Sequence, residues 1–291
     1  MSRRYEVIVD GHKMVAFGHN ESVSNTPIIL LHGIGLSASF WPEDGAGLLG
    51  DKRWYALCLP GHFPAAFAAN FRREDLTAEL IARLVMCTLH ELVGDRPVIF
   101  IGHSTGGFTA LATAAQYPQQ VKAIISIGGF VQGRWGGPLC LMQAYMRLGS
   151  IGEVLFNVAW RSVMITPRIY YAISGLYAYN RRAYFDYPDL YAHTCRVYAD
   201  AKKHNVHELA HYFARMPQTD IQDWLPRITA PTLAITGDHD TIVPPQQAQQ
   251  IADGVPHSIL VTIPNCGHMV MTEQPDVYNE TIHDWLEQYA S

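Results

Sequence analysis

Five consecutive residues, Gly102-His103-Ser104-Thr105-Gly106, form a G-x-S-x-G pattern, with an apolar run before it and a helical pattern after it. That is the context in which a serine becomes a nucleophile. A nucleophile on a tight strand-to-helix turn has a strained backbone, and side chains two positions either side would collide, hence the glycines. Ser104 is then expected above the carboxyl end of a sheet, with the helix N-terminus offering N–H groups to a developing negative charge. A serine hydroxyl is a weak nucleophile and needs a base, and the base needs an orienting acid. The chain has 14 histidines, so position must choose among them. His268 lies in Asn265-Cys266-Gly267-His268-Met269, after the last apolar run. Asp240 lies in Gly237-Asp238-His239-Asp240, after the run before that. Either alone could be a turn former or a surface histidine. Together, on loops at the carboxyl edge of the sheet, they make an acid and base for Ser104. An acyl-transfer site also needs two N–H donors for its oxyanion. Thr105, following the nucleophile, is one expected donor. Ile34, in Leu31-His32-Gly33-Ile34-Gly35, is the other.

The elements that must hold these residues are legible as pattern. Two alternating segments, 5–9 and 13–17, flank Asp10-Gly11 and read as a hairpin. Apolar runs follow at 27–31, 54–59, 97–101, 121–127, 232–236 and 258–263, each fitting a strand buried on both faces. Helical patterns at 76–93, 106–117, 245–252 and 275–289 alternate with them. The expected fold class is α/β, with a mostly parallel central sheet flanked by helices. The alternation breaks from 130 to 225, a stretch rich in Met, Tyr, Trp and Arg with helical spacing at 139–148, 152–163 and 191–204. It is too long for a loop and reads as an inserted helical cap, leaving 1–129 and 226–291 as the core. Part of its aromatic and methionine content should line an apolar pocket above Ser104.

These residues carry a resemblance. His32-Gly33-Ile34-Gly35, Leu59-Pro60-Gly61-His62, Gly102 to Gly107, Gly237 to Pro244 and Gly267-His268 are similar to the motifs of the α/β-hydrolase fold superfamily. Within it the chain resembles the serine carboxylesterase and thioesterase group, of the pimeloyl-carrier-protein methyl ester esterase kind. The resemblance runs from about residue 26 to the C-terminus. It implies a Ser104–Asp240–His268 triad, in the chain order the family uses. It also implies that Asp240 orients His268 while Asp238 serves the turn. The chain departs from the pattern at Leu59, where the family often has aspartate, and at Phe63, where it has glycine. The loop after that strand is therefore expected to be unusual. Ser104 argues against the dehalogenases and epoxide hydrolases of this fold, which use an aspartate nucleophile.

Composition narrows the rest. The 291 residues are 48% hydrophobic and 16% charged, which supplies a sizeable core and excludes disorder. A net charge of −5 gives no basic footprint for nucleic acid. No apolar run reaches the ~18–20 residues of a membrane span, and no apolar segment follows Arg3-Arg4 as in a signal peptide, so a cytoplasmic location is expected. Five cysteines without clamp or redox spacing read as free thiols. No His-Glu-x-x-His, Cys-x-x-Cys or strand-linked G-x-G-x-x-G appears, so neither metal nor cofactor is expected. Between Val131 and His204 nine basic residues face four acids, about +5 in a chain whose remainder is then about −10. Such a segment would attract an anionic acyl donor, an acyl carrier protein or coenzyme A thioester. Alternatively, the arginines simply cover apolar surface. The function expected from the whole is cleavage of an apolar or aromatic carboxylic ester or thioester through an acyl-enzyme. Acyl transfer, carbon–carbon bond hydrolysis or a ligand receptor on the same scaffold are the alternatives.

Overall fold

A computed structural model describes residues 2–42 and 48–290. The chain opens with β1 (Arg3–Val9) and β2 (His12–His19), an antiparallel hairpin. Asp10 and Gly11 both take positive φ, 50° and 82°, as a two-residue hairpin turn requires. Six strands follow: β3 (Ile28–Leu31), β4 (Trp54–Cys58), β5 (Val98–His103), β6 (Val121–Ile127), β7 (Thr232–Gly237) and β8 (Ser258–Ile263). They form one sheet in the order β1-β2-β4-β3-β5-β6-β7-β8. Only β2 pairs antiparallel with β1 and β4; every other pair is parallel.

The central strands are apolar because both faces are covered. Ile99 and Ile101 of β5 point into one buried cluster and Val98 and Phe100 into the other, the period-2 consequence of a pleat. Helices α1 (Ala78–Val93) and α2 (Thr105–Gln116) cover one face, and α11 (Pro275–Tyr289) covers the other. Thr77 caps α1 by accepting the Leu80 N–H, and Gly94 ends it at φ 67°. One strand differs from expectation. β8 is not buried on both faces; it is the sheet edge, and Ile259 is 55% exposed.

Between β6 and β7 the chain runs through α3 (Gly137–Tyr145), α4 (Gly149–Val163), α5 (Pro167–Ser174), α6 (Arg181–Asp186), α7 (Leu190–Ala201) and α8 (Val206–Arg215). The helices expected from the sequence do not include α5, α6 and α8. The first two are too short for a 3.6 period to register, whereas α8 does carry that spacing, at Val206, Leu209, Ala210 and Phe213, and was legible in the sequence. This helical stretch shares the core of the sheet. Phe156 of α4 and Phe213 of α8, with ring centroids 4.9 Å apart, belong to the same buried cluster as Phe108 and Leu111 of α2. After β7 come α9 (Gln246–Gly254) and, after β8, the short α10 (Val270–Glu273). Among the described residues no helix is long and apolar enough to cross a membrane, and no group of three or more His, Cys, Asp or Glu could hold a metal ion.

Candidate active site

Ser104 occupies the turn between β5 and α2 with φ 55° and ψ −117°, a conformation in which a residue with a side chain is strained. The surroundings enforce it. The Ser104 N–H donates to the Ile127 carbonyl at 2.8 Å, and its own carbonyl accepts the Phe108 N–H at 3.1 Å. The flanking glycines are there for the reason anticipated. A Cβ on Gly102 would lie 2.3 Å from the Gly106 carbonyl oxygen, and one on Gly106 would lie 2.0 Å from that of Leu31. The side chain is buried at the C-terminal edge of the sheet, above the first turn of α2, whose leading N–H groups have no intrahelical acceptor.

His268 and Asp240 lie on the loops after β8 and β7 and meet at the same edge. His268 Nδ1 is 2.6 Å from Asp240 Oδ2, with both side chains almost wholly buried. Asp240 Oδ1 accepts the backbone N–H groups of Ile242 and Val243 at 2.8 and 2.9 Å. The carboxylate is thus held by three donors and cannot rotate away from the imidazole. Asp238 serves the turn instead: its Oδ1 accepts the Cys266 N–H at 3.1 Å and approaches His239 Nδ1 at 2.7 Å. Ser104 and His268 both line one cavity of about 560 Å³, walled by Ile34, Phe40, Met142, Trp160 and Tyr177 among others. The helical stretch therefore contributes aromatic and methionine side chains to an apolar chamber over Ser104.

The Gly33–Gly35 loop is held by imidazoles. The Gly35 N–H donates to His62 Nε2 at 3.1 Å, and the Gly35 carbonyl accepts from His204 Nε2 at 3.1 Å. His204 in turn accepts the Phe63 N–H on Nδ1 at 2.9 Å. The unusual Phe63 loop is thus one of the places where the core grips the helical stretch. His32 accepts the Leu59 N–H at 3.0 Å. Burial keeps these rings neutral: it drives His32 down to about 3, His204 down to about 4 and His62 well below its usual value. Only a neutral ring can accept one of these N–H bonds. Gly35 itself has φ 69°, and a Cβ there would strike Trp160 of α4 at 2.6 Å.

Glu273 was not legible as part of the site. Its buried carboxylate accepts the N–H groups of Gly267 at 3.0 Å, Met269 at 3.2 Å, Tyr179 at 2.9 Å and Asn180 at 2.7 Å. It brackets His268 on both sides and ties that loop to the helical stretch. The His268 N–H adds a bond to the Tyr177 carbonyl at 3.0 Å, and His103 Nε2 donates to the His268 carbonyl at 3.2 Å. Cys266 is buried, and burial pushes its thiol pKa up, the opposite of what a nucleophile needs. Among the described residues all five cysteines are free.

Several members of the basic excess are satisfied locally. Arg182 pairs with Asp186 at 3.6 Å and Lys203 with Asp200 at 3.6 Å, while Arg196 leans on His193 at 3.2 Å beside the cavity.

Comparison with known proteins gives a consistent family. Residues 28–281 match the profile of the alpha/beta hydrolase family. A putative carbamate hydrolase RutD of Stutzerimonas stutzeri is 26% identical over 272 residues, covering 90% of this chain and 91% of the relative. A 2-hydroxy-6-oxononadienedioate/2-hydroxy-6-oxononatrienedioate hydrolase of Cupriavidus pinatubonensis is 25% identical, covering 97% and 94%. The crystal structure of an enol-lactonase from Burkholderia xenovorans superposes with a TM-score of 0.73 at 18% identity, over 97% of this chain and 100% of that one.

Proposed function

The chain belongs to the alpha/beta hydrolase family, and from that membership we propose that it is a serine hydrolase cleaving a carboxylic ester or thioester with an apolar acyl or aromatic group. The observation that carries the reading is the convergence of the strained Ser104 and the buried His268–Asp240 pair on one apolar cavity. Ser104 Oγ attacks the carbonyl carbon as His268 Nε2 takes its proton. Asp240 holds the imidazole in the tautomer with a proton on Nδ1 and balances the charge that the ring acquires. The N–H groups of Thr105 and Ile34 receive the oxyanion; the first is the leading N–H of α2, the second lies on the loop that His62 and His204 hold at Gly35. His268 then protonates the leaving group. Water, activated by the same ring, releases the acid. Residues 130–225 act in this scheme as the cap that dries the chamber and sets acyl selectivity.

The relatives supply a second reading. Two of them are named as a putative carbamate hydrolase and as a 2-hydroxy-6-oxononadienedioate hydrolase, and Ser104, His268 and Asp240 of this chain would serve either reaction. The predominantly apolar chamber favours an uncharged ester over a doubly charged dioate.

The test is turnover of p-nitrophenyl esters of graded acyl length, with an acyl-coenzyme A thioester, a carbamate and a dienedioate as competing arms. Mass spectrometry of trapped enzyme should find the acyl group on Ser104. Ser104→Ala should lower the rate by on the order of 10⁴–10⁶-fold with the fold intact. Ester hydrolysis within tenfold of wild type in that variant, or turnover confined to the carbamate or dienedioate, overturns the proposal.

A further inference from the structure

Helix α4 is apolar on two opposite faces. Phe156 and Trp160 point inward, to the buried core and the cavity wall. Ile151, Val154, Leu155 and Val158, spaced i, i+3, i+4 and i+7, form one stripe on the opposite side. That stripe faces solvent: Ile151 is 71%, Val154 64% and Val158 63% exposed. Leu148 and Ile165, at 56% and 63%, extend it beyond both helix ends. A surface helix ordinarily turns a polar face outward, and an exposed apolar stripe of this extent marks a surface that something covers.

Charge says what covers it. From residue 137 to 180 the bases are Arg147, Arg161 and Arg168, and the one acid is Glu153. Glu153 is taken up by Arg73 of the core. The three arginines are exposed, and none has an acidic partner among the described residues. The apolar stripe is therefore accompanied by unpaired positive charge on a chain whose net charge is −5. A second copy docked through this face would set arginines against arginines, because a two-fold interface meets itself. An anionic lipid surface satisfies both features at once: acyl chains take the stripe and head groups take the guanidiniums.

We propose that the outer face of α4, with its flanking turns, docks this protein onto an anionic lipid surface. The stripe lies in the plane of the head groups and no helix spans the bilayer. Neither Ser104 nor His268 takes part, so the proposal stands apart from the assigned hydrolysis.

The experiment is vesicle flotation of the full chain. Phosphatidylcholine vesicles are compared with phosphatidylcholine vesicles containing phosphatidylglycerol, at low and at high salt. Binding is expected to the anionic vesicles and to weaken with salt. Replacing all three arginines (R147Q, R161Q and R168Q) should lower the partition coefficient roughly 100-fold. Val154→Asp with Val158→Asp should reduce binding to background. Both variants should melt like wild type and hydrolyse a soluble p-nitrophenyl ester at the wild-type rate, and Ser104→Ala should bind vesicles normally. If the aspartate pair misfolds, the arginine variant carries the test. No binding to either vesicle, equal binding to neutral and anionic vesicles, or undiminished binding by the arginine variant overturns the proposal. So does a stable dimer, by light scattering, that Val158→Asp dissociates.

Discussion

Both oxygens of Asp240 are engaged: one accepts two backbone N–H groups and the other meets the imidazole. Asp240→Asn keeps the shape but sets an amide against Nδ1 and favours the wrong tautomer. Steady-state kinetics should show a loss on the order of 10⁴-fold in kcat. Asp238→Asn should stay within tenfold of wild type; if it is the more damaging change, the orienting role belongs to Asp238. The three residues proposed as a triad were visible in sequence because the proposed chemistry demands particular types on glycine-bearing turns at strand ends. Glu273 and His204 were not, because their partners are backbone groups far away in the chain. Glu273 meets Tyr179 across 94 positions and His204 meets Gly35 across 169. Such a bond depends on how the fold brings the two segments together, and backbone partners leave no residue signature. Fourteen histidines also hid the few that matter. Burial and partner, not type, separate His204 from a surface ring.

Elements show the same division. The core strands announced themselves as apolar runs and the long helices through periodicity, and the runs at 121–127 and 258–263 match β6 and β8 end for end. What periodicity cannot supply is position in the sheet, so β8 read as buried when it is an edge. The joint between elements is equally silent in sequence, and it is testable. Glu273→Ala removes the acceptor for four backbone N–H groups where α10 joins the His268 loop to the helical stretch. Leaving several buried donors unmet should cost at least about 3 kcal/mol. A calorimetric scan should find Tm lowered by roughly 5 °C; an unchanged Tm means that the loop is held by other contacts. Between β3 and α2 the tolerance is smaller still. Gly106→Ala forces a methyl group against the Leu31 carbonyl, which neither element can yield without parting. That variant should express poorly or lose on the order of 3 kcal/mol in a denaturant titration. Near-wild-type stability means that β3 and α2 are less tightly apposed than this.

Across the whole molecule, the buried imidazoles make stability a function of acidity. Burial first of all holds His32 and His103 at about 3 and His204 at about 4, with His62 well below its usual value. Each is neutral in the fold and binds a proton more readily once the chain unfolds, so acid favours the unfolded chain. The stability they carry is complete above ~6.5 and drains away as the pH falls toward 4. One such group accounts for on the order of 3 kcal/mol, and several together rival the ~5–15 kcal/mol of a typical domain. Tm should therefore fall steeply between pH 6.5 and pH 4, and a flat profile down to pH 5 would refute the neutral assignment. His204, with three neighbouring fastenings, also bears on how a guest gets in and out. The stretch between β6 and β7 is fastened at Tyr177, at Tyr179 and Asn180, and at His204. A flap hinged at its ends would have to tear out the bonds that shape the site each time it swung. Entry that leaves this stretch in place would need only side chains to turn aside, on a nanosecond clock rather than a millisecond one. The Gly35 and His268 amides should exchange with heavy water equally slowly whether the chamber is vacant or filled.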